Sequence, residues 1–124
     1  MSKARTSPTK RTMDYARARG WHPGVVERWN AHARIRQDLY GFLDLVVMDD
    51  HGGLLGIQAT AGSCTGSRME KIENEPRAQE WLRRGLRIQV WGWRKLRGRW
   101  APRRLEARLL ADGSIEWDDV EEAQ

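Results

Sequence analysis

Two apolar runs near the middle of the chain predict a β-hairpin. Residues 41–47 and 54–60 are each apolar around one polar side chain, and the segment at 49–53 between them consists of turn-forming residues. A polar group in a buried strand costs free energy unless it has a partner, so Asp44 and Gln58 are unusual positions. With the turn at 49–53, Asp44 lies directly opposite Gln58, whereas a slip of one residue would place it opposite Ile57.

Alternation along the second run assigns its two faces, because successive side chains of a strand point to opposite sides. One face carries Leu55, Ile57 and Ala59, and the other carries Gly56, Gln58 and Thr60.

The remaining pattern predicts further elements around this hairpin. A helix at residues 8–19 stops at Gly20, a strand follows at 24–30, and residues 32–38 are irregular or a second short strand. After the hairpin we expect a helix that is opened by a capping box at 67–70, and then a helix at 76–84 that is stopped by Gly85. A half-buried strand follows at 86–91. A turn at Arg97-Gly98 leads to a last strand at 100–110, which is interrupted at Pro102 or has Pro102 at an edge. This order predicts an α/β fold with a mixed β-sheet flanked by helices.

The chain of 124 residues suffices for one domain. We assign residues 1–8 to a disordered basic N-terminus, 9–111 to the domain and 112–124 to an acidic tail. No apolar run approaches the ~20 residues of a membrane span, and no apolar segment follows the basic N-terminus as in a signal peptide. The single cysteine, Cys64, excludes an internal disulfide and a cysteine-based zinc site, which favours a reducing, cytoplasmic compartment.

Charge is unevenly distributed along the chain. The net charge is +5, but the last 13 residues hold six acids and no Lys or Arg, which leaves +11 on the first 111 residues. Such a basic body favours a polyanionic partner, of which nucleic acid is the commonest. The alternative is an Arg-rich solvated surface without such a partner.

Asp44 and Gln58 together offer half of a metal site. A divalent cation that assists phosphodiester hydrolysis is held by carboxylate and carbonyl oxygens. Asp44, Gln58 and the backbone carbonyl of Ala59 could supply three oxygens, and Glu27 or Asp38 a further carboxylate. The alternative is structural: Asp44 caps a turn or pairs with an arginine, while Gln58 hydrogen-bonds within the sheet.

This hairpin, followed by a Ser/Gly loop and a basic helix, resembles the core of the PD-(D/E)XK nuclease superfamily. More narrowly, the chain is similar to small phage and bacterial proteins akin to Holliday-junction resolvases, with segments 25–30, 36–41 and 91–95 as further parts of the pattern. The similarity covers roughly residues 10–105. It implies a restriction-endonuclease-like core and metal-dependent cleavage of DNA, with Mg²⁺ or Mn²⁺ as cofactor.

The resemblance also implies roles for individual positions. Asp44 would bind the metal, and Gln58 stands where the superfamily usually has Glu or Asp, as in Mrr-type restriction enzymes. Thr60 replaces the usual lysine, so Lys71 on the following helix would supply the cation, with Arg68 on the same helical face.

A basic cluster lies between Trp93 and Trp100, near the Arg97-Gly98 turn. We expect the cluster to bind DNA phosphates together with Arg36 and Arg68; its members are Arg94, Lys95, Arg97 and Arg99. An exposed tryptophan could stack on an unpaired base, but the interpretation we favour places both tryptophans in the core.

The sequence therefore predicts a metal-dependent DNA endonuclease, with structure-selective cleavage in phage or bacterial DNA processing as the narrower expectation. Catalysis would use Asp44, Gln58, Lys71 and Glu27, and cutting two strands would need a homodimer because one domain has one active site. Two alternatives stay open: a non-catalytic nucleic-acid-binding module of the same fold, and a phage protein that docks on a host complex. Neither metal-ligand spacing of histidines, thiol catalysis nor a Gly-rich phosphate loop is indicated.

Overall fold

Three helices and eight strands make up the described part of the chain, residues 6–120, in the computed structural model. The helices are α1 (Pro8–Ala18), α2 (Thr65–Glu73) and α3 (Pro76–Arg83), and a 3-10 turn at Gly62–Cys64 leads into α2. The strands are β1 (His22–Val25), β2 (Arg28–Asn30), β3 (Ile35–Gln37), β4 (Leu45–Met48), β5 (Leu55–Ala61), β6 (Arg87–Leu96), β7 (Arg99–Leu109) and β8 (Ile115–Asp119). Within residues 6–120, none of the helices has the length and apolar character to cross a bilayer.

Six strands form one mixed sheet in the order β1-β4-β5-β6-β7-β8, and β2 pairs with β3 in a separate two-stranded sheet. β5 and β6 are parallel, and the other neighbours are antiparallel. Because parallel neighbours need a crossover connection, α2 and α3 carry the chain from β5 to β6. The expected α/β class, a mixed sheet flanked by helices, is confirmed.

The interior strand β6 is buried on both faces over most of its length. One face packs against α1 in a cluster that includes Ala16, Ile57, Trp91 and Trp93. The other face packs against α2 and α3 in a cluster that includes Ile72, Ala78, Ile88 and Val90. The strand predicted at residues 86–91 is present within β6, but its prediction as half-buried is wrong, because α1 covers the face that was expected to meet solvent.

The central hairpin occurs in the predicted register. Leu45 lies opposite Ile57 and Val47 opposite Leu55, so the next step of the register brings Asp44 to Gln58. The face assignment along β5 is also confirmed: Leu55, Ile57 and Ala59 belong to the α1 side, and a Cβ atom on Gly56 would meet Leu43 and Trp81 on the other side. Residues 41–43 do not lengthen β4, because they belong to a tight turn bridged by Leu39 and Leu43.

Two predicted elements need correction: the strand before the hairpin and the start of the helix after it. The strand expected at residues 24–30 is divided between β1 and β2, because the backbone N–H groups of Val26 and Glu27 both donate to the Asp44 carbonyl and the chain then leaves the sheet. The optional short strand at 32–38 occurs as β3. The capping box at 67–70 is wrong, since α2 begins at Thr65 and the Ser67 hydroxyl donates to the Cys64 carbonyl.

The acidic segment from residue 112 was assigned to a tail outside the domain, but over the residues that the structure describes it contains β8. β8 pairs with the second half of β7, and Ile115 and Trp117, which alternate with acids, pack against the α3 side. β7 runs through Pro102 without interruption. Pro102 lies in the half of β7 that β8 does not cover, so it does lie at an edge of the sheet. Residues 1–5 of the predicted disordered N-terminus and residues 121–124 lie outside the described residues.

Close packing at Gly92 provides a test of the contact between the sheet and α2. A Cβ atom on Gly92 would lie 2.2 Å from the Thr65 Cγ2 atom and 3.2 Å from the Gly62 Cα atom. We expect Gly92→Ala to lower the free energy of unfolding by about 1–3 kcal/mol, because side chain and backbone must shift to make room. Gly66, in the first turn of α2, has no such neighbour within 4 Å in the described part of the chain, so Gly66→Ala should cause no loss. Denaturant unfolding of both variants measures the difference, and equal stabilities would contradict the close contact.

Candidate metal centre

Asp44 is held at the start of β4 by contacts from two other segments. Its Oδ2 atom accepts hydrogen bonds from the Gln58 Nε2 atom at 2.7 Å and from the Ala59 backbone N–H at 2.8 Å. Its backbone carbonyl accepts from the N–H groups of Val26 and Glu27 at 2.9 and 3.3 Å. Asp44 is 4% exposed and Gln58 is 2% exposed, so this contact lies inside the protein.

Two further carboxylates converge on Asp44. Glu27 is brought there by the backbone hydrogen bonds to the Asp44 carbonyl, and Asp38 by the tight turn in which Leu39 bridges to Leu43. Glu27, Asp38 and Asp44 each offer a carboxylate oxygen, and these oxygens lie within 4.8 Å of one another. The sequence offered Glu27 or Asp38 as a second acid, and the structure brings both to Asp44.

The protonation of this cluster follows from its burial. Burial, then the hydrogen bond and negative charge of Asp38, raise the pKa of Asp44 to about 8, with a further contribution from Glu27. Burial also acts to raise the pKa of Asp38, but the hydrogen bond from Asp44 and the positive charge of Lys71 outweigh it and hold that pKa below its usual range. Burial and the neighbouring Asp38 carboxylate therefore favour the protonated form of Asp44, whereas Lys71 favours the ionised form of Asp38.

Cationic side chains surround the three acids. The Lys71 Nζ atom lies 3.4 Å from Asp38 Oδ2, and the Arg36 Nη1 atom lies 3.7 Å from Glu27 Oε1. Arg68, one turn before Lys71 on α2, has a buried Nε atom without a hydrogen-bond partner among residues 6–120. The ammonium predicted from the helix after the hairpin is thus present at the acidic cluster.

A cavity of about 400 Å³ connects these groups. Its lining includes every predicted ligand and helix cation, namely Glu27, Asp38, Asp44, Gln58, Ala59, Arg68 and Lys71, together with Arg36 and Thr60. Within the described residues, the Gln58 Oε1 atom is buried and accepts no hydrogen bond. A buried acceptor without a donor is unfavourable, and a cation in the cavity would satisfy it.

The chemistry of the donor set fits a hard divalent cation. Among residues 6–120, the cavity offers three carboxylates and one amide oxygen but no sulfur or imidazole ligand. Oxygen ligands of this kind suit Mg²⁺ and Mn²⁺. The Ala59 N–H group donates a hydrogen bond to Asp44. The role of the Ala59 backbone carbonyl as a metal ligand stays a prediction. The structural alternative for Gln58 is observed in part, because its amide nitrogen does hydrogen-bond to Asp44 while its oxygen is left over.

The basic hairpin formed by β6 and β7 lies beside the cavity without lining it. Its residues Arg94, Lys95, Arg97 and Arg99 are exposed around the Arg97-Gly98 turn. Trp93 is buried and donates to the Thr12 hydroxyl, as expected for a core residue. The core placement of Trp100 is wrong: it is 46% exposed, with the Arg11 guanidinium 3.7 Å from its ring centroid. The edge position of this half of β7 leaves the Trp100 ring at the surface.

Sequence reasoning missed a second, basic groove that joins the cavity. This groove of about 620 Å³ shares Arg36, Asp38 and Lys71 with the cavity and adds Arg28, Tyr40 and Arg77. The available signal was Gly41, because glycine is common at turn positions that require a positive φ.

No protein-family model matches this chain, and no curated protein or solved structure shows significant similarity to it. A function must therefore be inferred from the geometry and chemistry of the residues themselves.

The raised pKa of Asp44 predicts a pH-dependent stability. The folded protein keeps a proton on Asp44 up to about pH 8, whereas the unfolded chain releases it near the usual aspartate pKa of about 4. Unfolding thus releases a proton between these values, so stability should fall as pH rises through this window, by at most about 1.4 kcal/mol per pH unit.

Asp44→Asn should remove that dependence. Asparagine reproduces the protonated acid, with one oxygen to accept from Ala59 and Gln58 and one N–H group to donate to Asp38. Urea unfolding in chelator from pH 5 to 8.5 compares the two proteins, with Glu80→Gln on the exposed side of α3 as control. A wild-type stability that stays constant or rises across this range would contradict the protonated Asp44.

Proposed function

We propose that this protein is a metal-dependent nuclease that hydrolyses phosphodiester bonds in DNA. The observation that carries the proposal is the convergence, in one cavity, of three carboxylate oxygens within 4.8 Å, the unpartnered Gln58 oxygen and the Lys71 ammonium. A cavity lined by acids alone would favour the binding of a cation, and a cavity lined by cations alone would favour the binding of an anion. Both together are what a phosphodiester and its metal cofactor require.

The metal would be held by Glu27, Asp38 and Asp44, with the Gln58 oxygen as a neutral ligand. When bound, such a cation polarises the phosphate and lowers the pKa of a water molecule. The protein's own contribution is to position these ligands on three segments fixed by backbone hydrogen bonds. Asp44 must give up its proton to act as a ligand, so metal binding should be tighter at higher pH.

The cations would act on the nucleic acid. Lys71 and Arg68 are one helical turn apart on α2 and line the same cavity as the acids. Lys71 would bind the phosphate and neutralise negative charge that develops on it, which is the role of the lysine that Thr60 replaces in the resembled family. Arg36 would hold a neighbouring phosphate at the entrance to the basic groove.

The order of elements supports the proposed likeness to PD-(D/E)XK nucleases. The helix, strand, hairpin, helix and strand that the resemblance implies correspond to α1, β1, β4–β5, α2 and β6. The aspartate and the glutamine at its motif positions are adjacent, and both line the cavity. We propose a restriction-endonuclease-like core on these grounds.

A non-catalytic nucleic-acid-binding module is the second candidate. The observation that favours it is Thr60, which is buried in the cavity wall where the resembled nucleases carry a lysine. Such a module would bind DNA through the same basic surfaces and cleave nothing. Docking on a host protein complex and assembly into a homodimer stay predictions from the sequence.

Cleavage assays on supercoiled, single-stranded and branched DNA with Mn²⁺ or Mg²⁺ test the nuclease proposal. Asp44→Asn and Glu27→Gln should each reduce cleavage by at least about 100-fold, because a metal ligand is lost, while DNA binding in chelator stays within about threefold of wild type. Glu80→Gln, an exposed acid outside the cavity, is the matched control. Cleavage that persists in chelator, or that Asp44→Asn leaves intact, would exclude this mechanism; binding without any cleavage would favour the second candidate.

Lys71→Met tests whether Lys71 supplies the positive charge that acts on the phosphate. It keeps most of the aliphatic stem but removes the charge, so we expect kcat to fall by about 10- to 100-fold with Mn²⁺ affinity, measured by calorimetry, little reduced. Lys71→Arg should restore part of the activity. Arg83→Gln removes an exposed charge from α3, away from the cavity, and should leave kcat unchanged. Full activity of Lys71→Met would assign the role to another residue.

A further inference from the structure

Two basic surfaces adjoin the cavity, and each displays one large aromatic ring. We define the Tyr40 groove as Arg28, Arg36, Tyr40 and Arg77, and the Trp100 hairpin as Arg94, Lys95, Arg97, Arg99 and Trp100. The Tyr40 groove is continuous with the cavity, because Arg36, Asp38 and Lys71 line both. Tyr40 is 45% exposed and Trp100 is 46% exposed.

The Trp100 hairpin begins at the edge of the cavity. In the parallel pair of β5 and β6, Ala61 at the end of β5 lies opposite Trp93, so β6 continues past β5 from Arg94 onward. Ala61 lines the cavity, and so do Pro8 and Thr9 in the first turn of α1. Arg11, two residues further along α1, places its guanidinium over the Trp100 ring. The first turn of α1 therefore connects the cavity to the hairpin.

The backbone at Tyr40 holds its ring outward in a conformation that is unfavourable for a side chain of this type. Tyr40 has a φ of 54° and Gly41 a φ of 77°, and the Phe42 N–H donates to the Leu39 carbonyl, so both central positions of this turn are left-handed. Asn, Asp or Gly would adopt this conformation more readily. Tyr40 is nonetheless bulky, aromatic and exposed, and it lies in the turn of the chain between Asp38 and Asp44, which favours a binding role for the ring.

We propose that the Tyr40 groove and the Trp100 hairpin bind unpaired nucleotides of single-stranded DNA on either side of the cavity. The arginines and lysines would contact phosphates, and the two rings would stack on bases, as aromatic side chains do in proteins that bind single strands. In a duplex the bases stack on one another and their faces are not available to these rings. The inference rests on the proposed function for placing a phosphate at the cavity.

Fluorescence anisotropy in chelator tests this without any requirement for cleavage. The probe is a labelled oligothymidylate of about 20 nucleotides, long enough to cross both surfaces, and a duplex of equal length is the comparison. Tyr40→Asn, which tolerates the left-handed backbone, and Trp100→Leu remove the rings. Tyr40→Phe and Trp100→Phe keep a ring, and Arg83→Gln controls for loss of a surface charge elsewhere.

We expect tighter binding of the single strand than of the duplex, a loss of about tenfold in Tyr40→Asn and in Trp100→Leu, and a loss of less than about threefold in the variants that keep a ring. Equal affinity for duplex and single strand, or single-strand binding that the ring removals leave unchanged, would overturn the inference. If duplex DNA is then still cleaved with Mn²⁺, the proposed nuclease function survives that failure. If the ring removals weaken binding as expected but no DNA is cleaved, the inference stands and the nuclease function fails.

Discussion

The buried carboxyl group of Asp44 is the constraint on which the candidate site depends. Its Oδ2 atom accepts hydrogen bonds from the Ala59 N–H and from the Gln58 side-chain amide. Its backbone carbonyl accepts hydrogen bonds from the two residues that follow β1. One residue thus joins the ends of β1, β4 and β5. Removing its hydrogen-bonding atoms would leave buried donors unpaired, which is why an isosteric replacement separates chemistry from folding better than truncation does.

Crowding of acids around Asp44 accounts for the other charges at the site. Three carboxylates within 4.8 Å cannot all ionise without a compensating charge, so Asp44 keeps its proton while Lys71 and Arg36 pair with Asp38 and Glu27. The other two acids of the cluster, Asp38 and Glu27, face the cations Arg36, Arg68 and Lys71 around the cavity. A divalent cation that replaces the Asp44 proton would make the cavity more positive and so favour a phosphate beside it.

The sequence predicted the pairing of Asp44 with Gln58 because apolar alternation and a turn of defined length fix the register of a hairpin. It left the second acid open between Glu27 and Asp38, because their approach depends on backbone hydrogen bonds to Asp44 and on a left-handed turn at Tyr40, neither of which has a periodic signal.

β8 was missed because Ile115 and Trp117 are outnumbered by acids. Trp100 was placed in the core because aromatic identity does not show which half of a strand lacks a neighbour.

In the proposed likeness to PD-(D/E)XK nucleases, Thr60 stands where those enzymes carry a strand lysine, and this would have a physical consequence for the cation at the site. A lysine at position 60 would extend from a buried strand position, where an ammonium close to three acids would be held in a fixed ion pair. Lys71 instead extends from α2 with its side chain 41% exposed, at 3.4 Å from Asp38. An ion pair of that exposure contributes at most about 1 kcal/mol, so little free energy opposes its exchange of Asp38 for a phosphate oxygen. In the proposed nuclease, Thr60 and Lys71 together replace a fixed cation by one that can move from the acidic cluster to the nucleic acid.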